Sequence, residues 1–174
     1  MLLADPNNPT GTAVDLDALE QFAQALSPEC LLILDQAYCD FADGERAGRG
    51  LGLAQRLPNV VVLRTFSKAY ALAGMRIGWC AADPEILASL EAVALPFTLT
   101  ALAQAAALAA LDQEAALFAQ VQTTVAQRRR VRQELLAMNF EVPPSEANFL
   151  WLPLGAGRLV SPSGARGPGS ACAA

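Results

Sequence analysis

The sequence predicts an α/β fold: a three-layer α/β/α domain followed by the start of a small α+β domain. Three observations carry this. The runs "CLLILD", "NVVVLRTFS" and "RIGWCAAD" are short and continuously apolar, as strands covered on both faces are. Between them lie stretches whose apolar residues recur at helical spacing. A long helical pattern then leads into "FEVPPSEANFLWLPL", which reads as two short strands around a Pro-Pro turn.

The elements follow in order. "MLLA" reads as the end of a first strand. Asp15 begins a helix in which Leu16, Leu19, Phe22, Ala23 and Leu26 share a face, and Ser27-Pro28 stops it. Strands follow over Cys30–Asp35, Asn59–Ser67 and Arg76–Asp83. Asp83-Pro84 caps a helix running through Leu95, and Thr100 opens another to Leu111. One long helical pattern covers Gln113 to Met138, with Val121, Val125 and Val131 among its apolar positions. The expected organisation is therefore a first domain over 1–112, a connecting helix over 113–139 and the start of a second domain over 140–154. The stretch 155–174, rich in Gly, Ser, Ala and Pro and without periodicity, reads as a disordered tail.

Composition narrows the chemistry. The 174 residues are 53% hydrophobic and 17% charged, enough apolar material for a sizeable core. The net charge is −5 and basic residues are scattered except in "RRRVR", Arg128 to Arg132, so nucleic acid is not the expected partner. That run reads as a solvated helix face or a set of salt bridges. There are no histidines, which removes the commonest general base and metal ligand. Cys30, Cys39, Cys80 and Cys172 show no CxxC spacing, so no metal site is expected. The first three lie in or beside apolar runs and read as buried thiols of a reducing, cytoplasmic setting. "MLLADPNN" turns polar too soon for a signal peptide. "AVALPFTLTALAQAAALAAL", interrupted by Pro96, Thr98, Thr100 and Gln104, reads as a loop and an alanine-rich helix rather than a membrane span. Trp79 and Trp151 fall in strand patterns and are expected in the core.

Lys68 is the only lysine beside eleven arginines. It closes an apolar strand, which puts its amine at the carboxyl edge of a parallel sheet, where open α/β sheets hold ligands. A lysine can lose its proton, attack a carbonyl and form a Schiff base, and an arginine cannot. Asp35 and Tyr38, in "LLILDQAYCDF", also follow a strand. They read either as local caps or as a carboxylate and a phenol facing one ligand. "DPNNPTG", Asp5 to Gly11, has turn composition in an unusually specific order. Arg76, within "AGMRIG", has a glycine before it and is placed to meet an anion. Thr65 and Ser67 flank the lysine with hydroxyls.

Taken together, "DPNNPTG", "LILDQAYCDF" and "TFSKAYALAGMRIGW" resemble the class I and II aminotransferases of the fold-type I pyridoxal-phosphate enzymes. With "PPSEANFLW" they look most like the histidinol-phosphate aminotransferases. The resemblance runs from about Leu2 to Leu154 and implies a partial pyridoxal-phosphate-transferase large domain, with the beginning of the small one. It implies pyridoxal 5'-phosphate as cofactor, histidinol phosphate as the small-molecule amino donor, 2-oxoglutarate as the 2-oxo acid, and a homodimer. Lys68 would be the Schiff-base lysine and the proton carrier. Asp35 would face the pyridine nitrogen, Tyr38 and Asn8 the phenolate oxygen, and Thr65, Ser67 and Arg76 the phosphate.

The departures also carry expectations. Family members have a long portion ahead of this loop that supplies a glycine-rich phosphate loop and a stacking aromatic ring, and an arginine near the C-terminus for the substrate carboxylate. Neither is in this sequence. The family has Glu at Gln36 and commonly Tyr-Asn at Phe97-Thr98. The chain is therefore expected to be a truncated form with little activity. The alternatives are another aminotransferase, for aromatic or general amino acids, a threonine-phosphate decarboxylase, or a non-catalytic fragment.

Overall fold

The computed structural model describes residues 1–153. Its centre is a four-stranded sheet in the order β1-β2-β3-β4, formed by Leu2–Ala4, Leu32–Asp35, Val60–Thr65 and Gly78–Ala81. β1, β2 and β3 run parallel, with Ala4 opposite Asp35 and Asp35 opposite Leu63. β4 is antiparallel to β3, pairing Thr65 with Gly78. The helices are α1 (Leu16–Ala25), α2 (Arg46–Arg56), α3 (Pro84–Val93), α4 (Ala101–Asp112) and α5 (Glu114–Ala137), with 3-10 turns at Cys39–Phe41 and Ala73–Met75.

Helix starts are set by local chemistry. Asp15 accepts from the amides of Asp17 and Ala18, Asp83 from that of Glu85, and Thr100 from that of Ala103. Each satisfies backbone donors that the first helical turn leaves free. α2 has no such cap and three glycines, although its buried positions, Arg46, Gly50, Leu53 and Ala54, recur at helical spacing. Its Leu53 and Ala54 insert into the main core with Leu19 and Ala23 of α1 and with Leu32, Leu34, Val60 and Val62 of the sheet. Removing one of these, as in Leu34→Ala, costs about 2–5 kcal/mol.

That core occupies one face of the sheet. The opposite face is covered less completely than the apolar runs suggest: Val61 is buried but Ile33 and Leu63 are only half-buried. A second cluster, formed by Tyr38, Phe41, Ala69, Ala147 and the α5 residues Val121 and Val125, packs beyond the carboxyl ends of the strands. Val121, Val125 and Arg128 are the buried positions of α5, and the spacing of four and three puts them on one stripe.

Three expectations are corrected. Of the thiols expected to be buried, only Cys39 is; Cys30, in the turn before β2, and Cys80, on the edge strand β4, are half-buried. Residues 140–153 form no strand: their hydrogen bonds go to α5 and to the loop after β1 instead of a ladder. Trp79 and Trp151 are 44% and 40% exposed, because one lies on an edge strand and the other in this irregular segment. Of the two readings of "RRRVR", a solvated face or a set of salt bridges, the structure supports the second. Arg128 is buried, Arg129 pairs with Asp43, Arg130 pairs with Glu134 one turn on, and Arg132 donates to Val142 O and Pro143 O. The disordered reading of 155–174, and Cys172 with it, lies outside the described residues. Among the described residues, no helix is long and apolar enough to cross a membrane.

Candidate active site

Three segments leave the carboxyl edge of the parallel strands, at 5–14, 36–45 and 66–77, and all the sequence-predicted site residues lie on them or at the strand ends. Lys68 sits in the turn after β3. Its Nζ stands 5.1 Å from the centroid of the Tyr38 ring, over an electron-rich face that attracts a cation. Among the described residues this amine has no hydrogen bond or ion pair. Tyr38 is buried, with Phe149 edge-on at 5.2 Å, and its hydroxyl accepts a 3.0 Å bond from Asn8 Nδ2. The structure therefore brings together Asn8, Tyr38 and Lys68, from three different segments.

Asp35 ends β2 next to them. Its Oδ1 accepts from Ala37 N at 3.0 Å, so the local capping role is real. Oδ2 has no partner among the described residues, so the ligand-facing role stays open on the same carboxylate. By the pleat and the register, Asp35 and Thr65 lie on one face of the sheet, opposite α1 and α2. Thr65 Oγ1 accepts from Ser67 N at 3.0 Å and lies 3.5 Å from Ile77 O, which shapes the turn carrying Lys68. The Ser67 hydroxyl has no partner among the described residues.

Arg76 makes no side-chain contact with the other site residues among the described residues, although the carbonyl of the next residue, Ile77, accepts from Phe66 N at 3.1 Å. Arg76 is exposed, caps the 3-10 turn in the left-handed region (φ 53°), and donates to Ala73 O at 2.9 Å. The glycine that backbone proximity demands is also not the one before it. A Cβ at Gly74 meets nothing within 4 Å, whereas at Gly78 it meets Arg64 O at 2.7 Å.

Beside the site lies a group of coupled side chains. Arg64 donates to Ala47 O at 2.8 Å, contacts Cys39 Sγ, stands 3.4 Å from Asp40 and faces the Trp79 ring at 6.0 Å. Burial raises the Asp40 carboxyl above its ordinary pKa, with Arg64 opposing. The Cys39 thiol is pushed up to about 12, first by burial and then by the Asp40 charge, which makes it a packing group rather than a nucleophile. Tyr70 donates to Glu114 Oε1 at 2.8 Å and tethers the Lys68 turn to α5; burial, with Glu114, raises its phenol.

Sequence reasoning missed what holds the site from behind. Ser145 Oγ donates to Phe149 O at 2.6 Å and accepts from Ala147 N at 3.2 Å. Glu146 N donates to Gly11 O at 2.7 Å, docking this segment onto the Asn8 loop. Gly11 has φ +71°, and a Cβ there would lie 2.8 Å from Ser145 Cβ and closer to its Oγ, so a side chain is excluded twice. Arg128 donates to Phe41 O at 3.0 Å and Ala147 O at 2.6 Å, holding the segment that puts Phe149 against Tyr38. The glycine of "DPNNPTG" and the serine of "PPSEANFLW" are the signal, but only side by side in space do they explain each other.

Comparison with known proteins gives a consistent result. The family Aminotransferase class I and II matches residues 1–161. The chain is 48% identical over 156 residues to an aromatic amino acid aminotransferase of Mycobacterium tuberculosis, covering 89% of this chain and 44% of that protein. It is 47% identical over 154 residues to one of Mycolicibacterium vanbaalenii, covering 88% and 44%. Among solved structures, the histidinol-phosphate aminotransferase from Sinorhizobium meliloti in complex with pyridoxal-5'-phosphate superposes with a TM-score of 0.79 at 34% identity, over 86% of this chain and 40% of that one. The chain thus spans less than half the length of the relatives it matches.

Proposed function

Because the chain belongs to the class I and II aminotransferases, we propose that its site binds pyridoxal 5'-phosphate and serves amino-group transfer between an amino donor and a 2-oxo acid. The observation that carries this is the side-chain amine of Lys68. It is the only one in the sequence and has no hydrogen-bond or ion partner among the described residues. It faces a tyrosine whose hydroxyl is held by Asn8.

The donor set fits the cofactor group by group. Lys68 offers an amine to a carbonyl carbon. The unpartnered Oδ2 of Asp35 suits a protonated ring nitrogen. The Tyr38 hydroxyl and the Asn8 amide suit a ring oxygen, and the Ser67 hydroxyl suits a phosphate. Arg76 joins the phosphate group only by leaving Ala73 O. When bound, pyridoxal phosphate supplies an electron sink for the bond broken at the amino carbon. The protein's part is to hold, orient and move protons. Lys68, on its turn braced by Thr65, delivers a proton at its Nζ, and Asp35 keeps the ring-nitrogen proton in place. Asn8 fixes the rotor of the Tyr38 hydroxyl.

For the amino donor we favour an aromatic amino acid, the substrate in the names of the 47–48% identical relatives. Histidinol phosphate is the second reading, supported by the motif resemblance and the name of the superposed structure. We also read 1–112 as part of the cofactor domain, 113–139 as its inter-domain helix and 140–154 as the start of the small domain. A homodimer is consistent with the apolar surface at Val93, Leu95, Phe97, Leu102 and Leu108, all exposed in one copy.

The test is direct. Pyridoxal phosphate mixed with the protein should give a new visible or near-ultraviolet absorbance band that Lys68→Ala abolishes. Phenylalanine or tyrosine should bleach the band faster than histidinol phosphate does. No band, or a band untouched by Lys68→Ala, overturns the cofactor reading, and faster bleaching by histidinol phosphate moves the donor to the second reading.

A further inference from the structure

The segment between β1 and α1 is a loop closed at its neck, and an arginine from outside it grips both sides of that neck. Asp5 is fully buried. Its Oδ1 accepts from Val14 N at 2.9 Å, nine residues on. Its Oδ2 lies 2.5 Å from Arg46 Nη1, at the start of α2. Arg46 Nη2 donates to Val14 O at 2.9 Å. Inside the loop Asn7 N donates to Thr12 O and Gly11 N to Asn7 O, each at 2.8 Å. From the body of the loop Asn8 reaches the Tyr38 hydroxyl, and at its neck Asp5 N donates to Asp35 O at 2.9 Å. One guanidinium is therefore connected, through two loop residues, to both the Tyr38 and the Asp35 sides of the site.

We propose that Arg46 is a positioning residue for the cofactor cradle, acting through Asp5 and Val14 to set where Asn8 stands against Tyr38. This rests on the reading of the site as a pyridoxal-phosphate site. A buried ion pair adds little stability over a well-packed apolar pair, so its value lies in geometry. A guanidinium offers two donors at a fixed angle, and an ammonium does not. The Nε of Arg46 is buried without a partner among the described residues, as is Gln36 Oε1 beside it, while both terminal nitrogens are engaged at the neck. The side chain is placed for the loop at the expense of its own full satisfaction.

Arg46→Lys keeps the charge and removes the fork. Asn8→Ala removes the contact that Arg46 is proposed to set, and is expected to weaken pyridoxal-phosphate binding about tenfold, the loss of one polar contact. Arg46→Lys should weaken it to a similar extent, and the double variant no more than about twofold further, because both act on one contact. The pH midpoint of the lysine-dependent absorbance band should shift in the same direction in all three. A double variant whose losses multiply, or an Arg46→Lys protein with unchanged affinity and midpoint, overturns the proposal. Asp5→Asn runs the same cycle with the same outcomes if Arg46→Lys does not fold. Without cofactor, the Asn8 side-chain amide signals in nitrogen-proton spectra should move in Arg46→Lys as they do in Tyr38→Phe; unmoved signals overturn the proposal. A wild-type protein that forms no band sinks the cofactor reading alone, and this last arm still decides the role of Arg46.

Discussion

Helix α2 contains three glycines, at 48, 50 and 52, and the same substitution should give opposite results among them. Gly→Ala within a helix gains about 0.5–1 kcal/mol from reduced backbone freedom in the unfolded chain. A Cβ at Gly48 meets nothing within 4 Å, and at Gly52 it meets only the end of the flexible Arg56 side chain, at 3.1 Å. Both variants should be more stable, Gly48→Ala by the smaller amount because it lies in the first turn. At Gly50 the Cβ would be 2.5 Å from Gln36 Nε2 and 2.6 Å from Gln36 Cδ, and closer to Oε1. Ordinary contact needs about 3.5 Å or more, so the amide must shift by about 1 Å. Gln36 is fully buried, and its Nε2 donates to Arg46 O at 3.3 Å. Losing that bond in the interior costs about 1–3 kcal/mol, and overpacking adds about 1–3 kcal/mol. Setting the helix gain of about 1 kcal/mol against this total leaves Gly50→Ala destabilised by about 1–5 kcal/mol. Urea unfolding followed by circular dichroism at 222 nm reads the series, and a change of about 3 kcal/mol moves the midpoint by about 1–3 M. In a Gln36→Ala background the Gly50→Ala penalty should disappear. A Gly50→Ala protein as stable as Gly48→Ala would falsify the packing account of Gln36.

Two further outcomes follow from buried groups. Cys39, with its thiol pushed up to about 12 by burial and then Asp40, should resist iodoacetamide at pH 8 while Cys30 and Cys80 label, and should label readily in urea. Because its folded pKa lies above the unfolded value of about 8.5, its contribution to stability is complete below that pH and is lost as pH rises toward 12. Native Cys39 labelling as fast as Cys30 would contradict this. Arg128→Met should cost about 3–6 kcal/mol, two charged hydrogen bonds to Phe41 O and Ala147 O, with Arg128→Lys intermediate because one ammonium satisfies fewer acceptors in that geometry. A urea midpoint within experimental error of the wild type for Arg128→Met would show that these carbonyls find other donors.

The elements that the sequence displayed are those whose causes are local. Asp15, Asp83 and Thr100 cap the helices that follow them, and the apolar runs became β2, β3 and β4 with shorter bounds. α2 was hidden because "RAGRGLGLAQR" has weak intrinsic helix preference. What fixes it is tertiary: Leu53 and Ala54 in the core, and Arg49 and Arg56 paired with Asp17 and Glu20 of α1. These ion pairs lie at the surface with Arg49 and Glu20 half-buried and contribute little by themselves, so the apolar contacts decide. The stretch 140–153 failed as strands for the converse reason. Its alternation is compatible with a ladder, but the donors and acceptors it meets belong to Arg128, Arg132 and Gly11.

The same division runs through the site. The shared placement of Asn8, Asp35, Tyr38 and Lys68 was legible because each ends or follows a strand of a parallel sheet, and such a sheet brings the carboxyl ends of its strands to one edge whatever the rest of the chain does. Arg76 was read from charge and proximity in sequence, and neither fixes which partner its guanidinium takes: here it donates to Ala73 O. The supports were illegible for a different reason. Asp5 and Arg46 are 41 residues apart, and Asp43 and Glu146, joined by a 2.8 Å bond, are 103 apart. Nothing in either local pattern marks one as the other's partner. A side chain that touches a ligand must sit at the edge the topology creates, which a sequence can show. A side chain that fixes the first one need only sit behind it, on any element that passes there. The close contacts of Gly11 with Ser145 and of Gly50 with Gln36 are traces of such supports, because a glycine that leaves no room for a Cβ records a neighbour the sequence does not name.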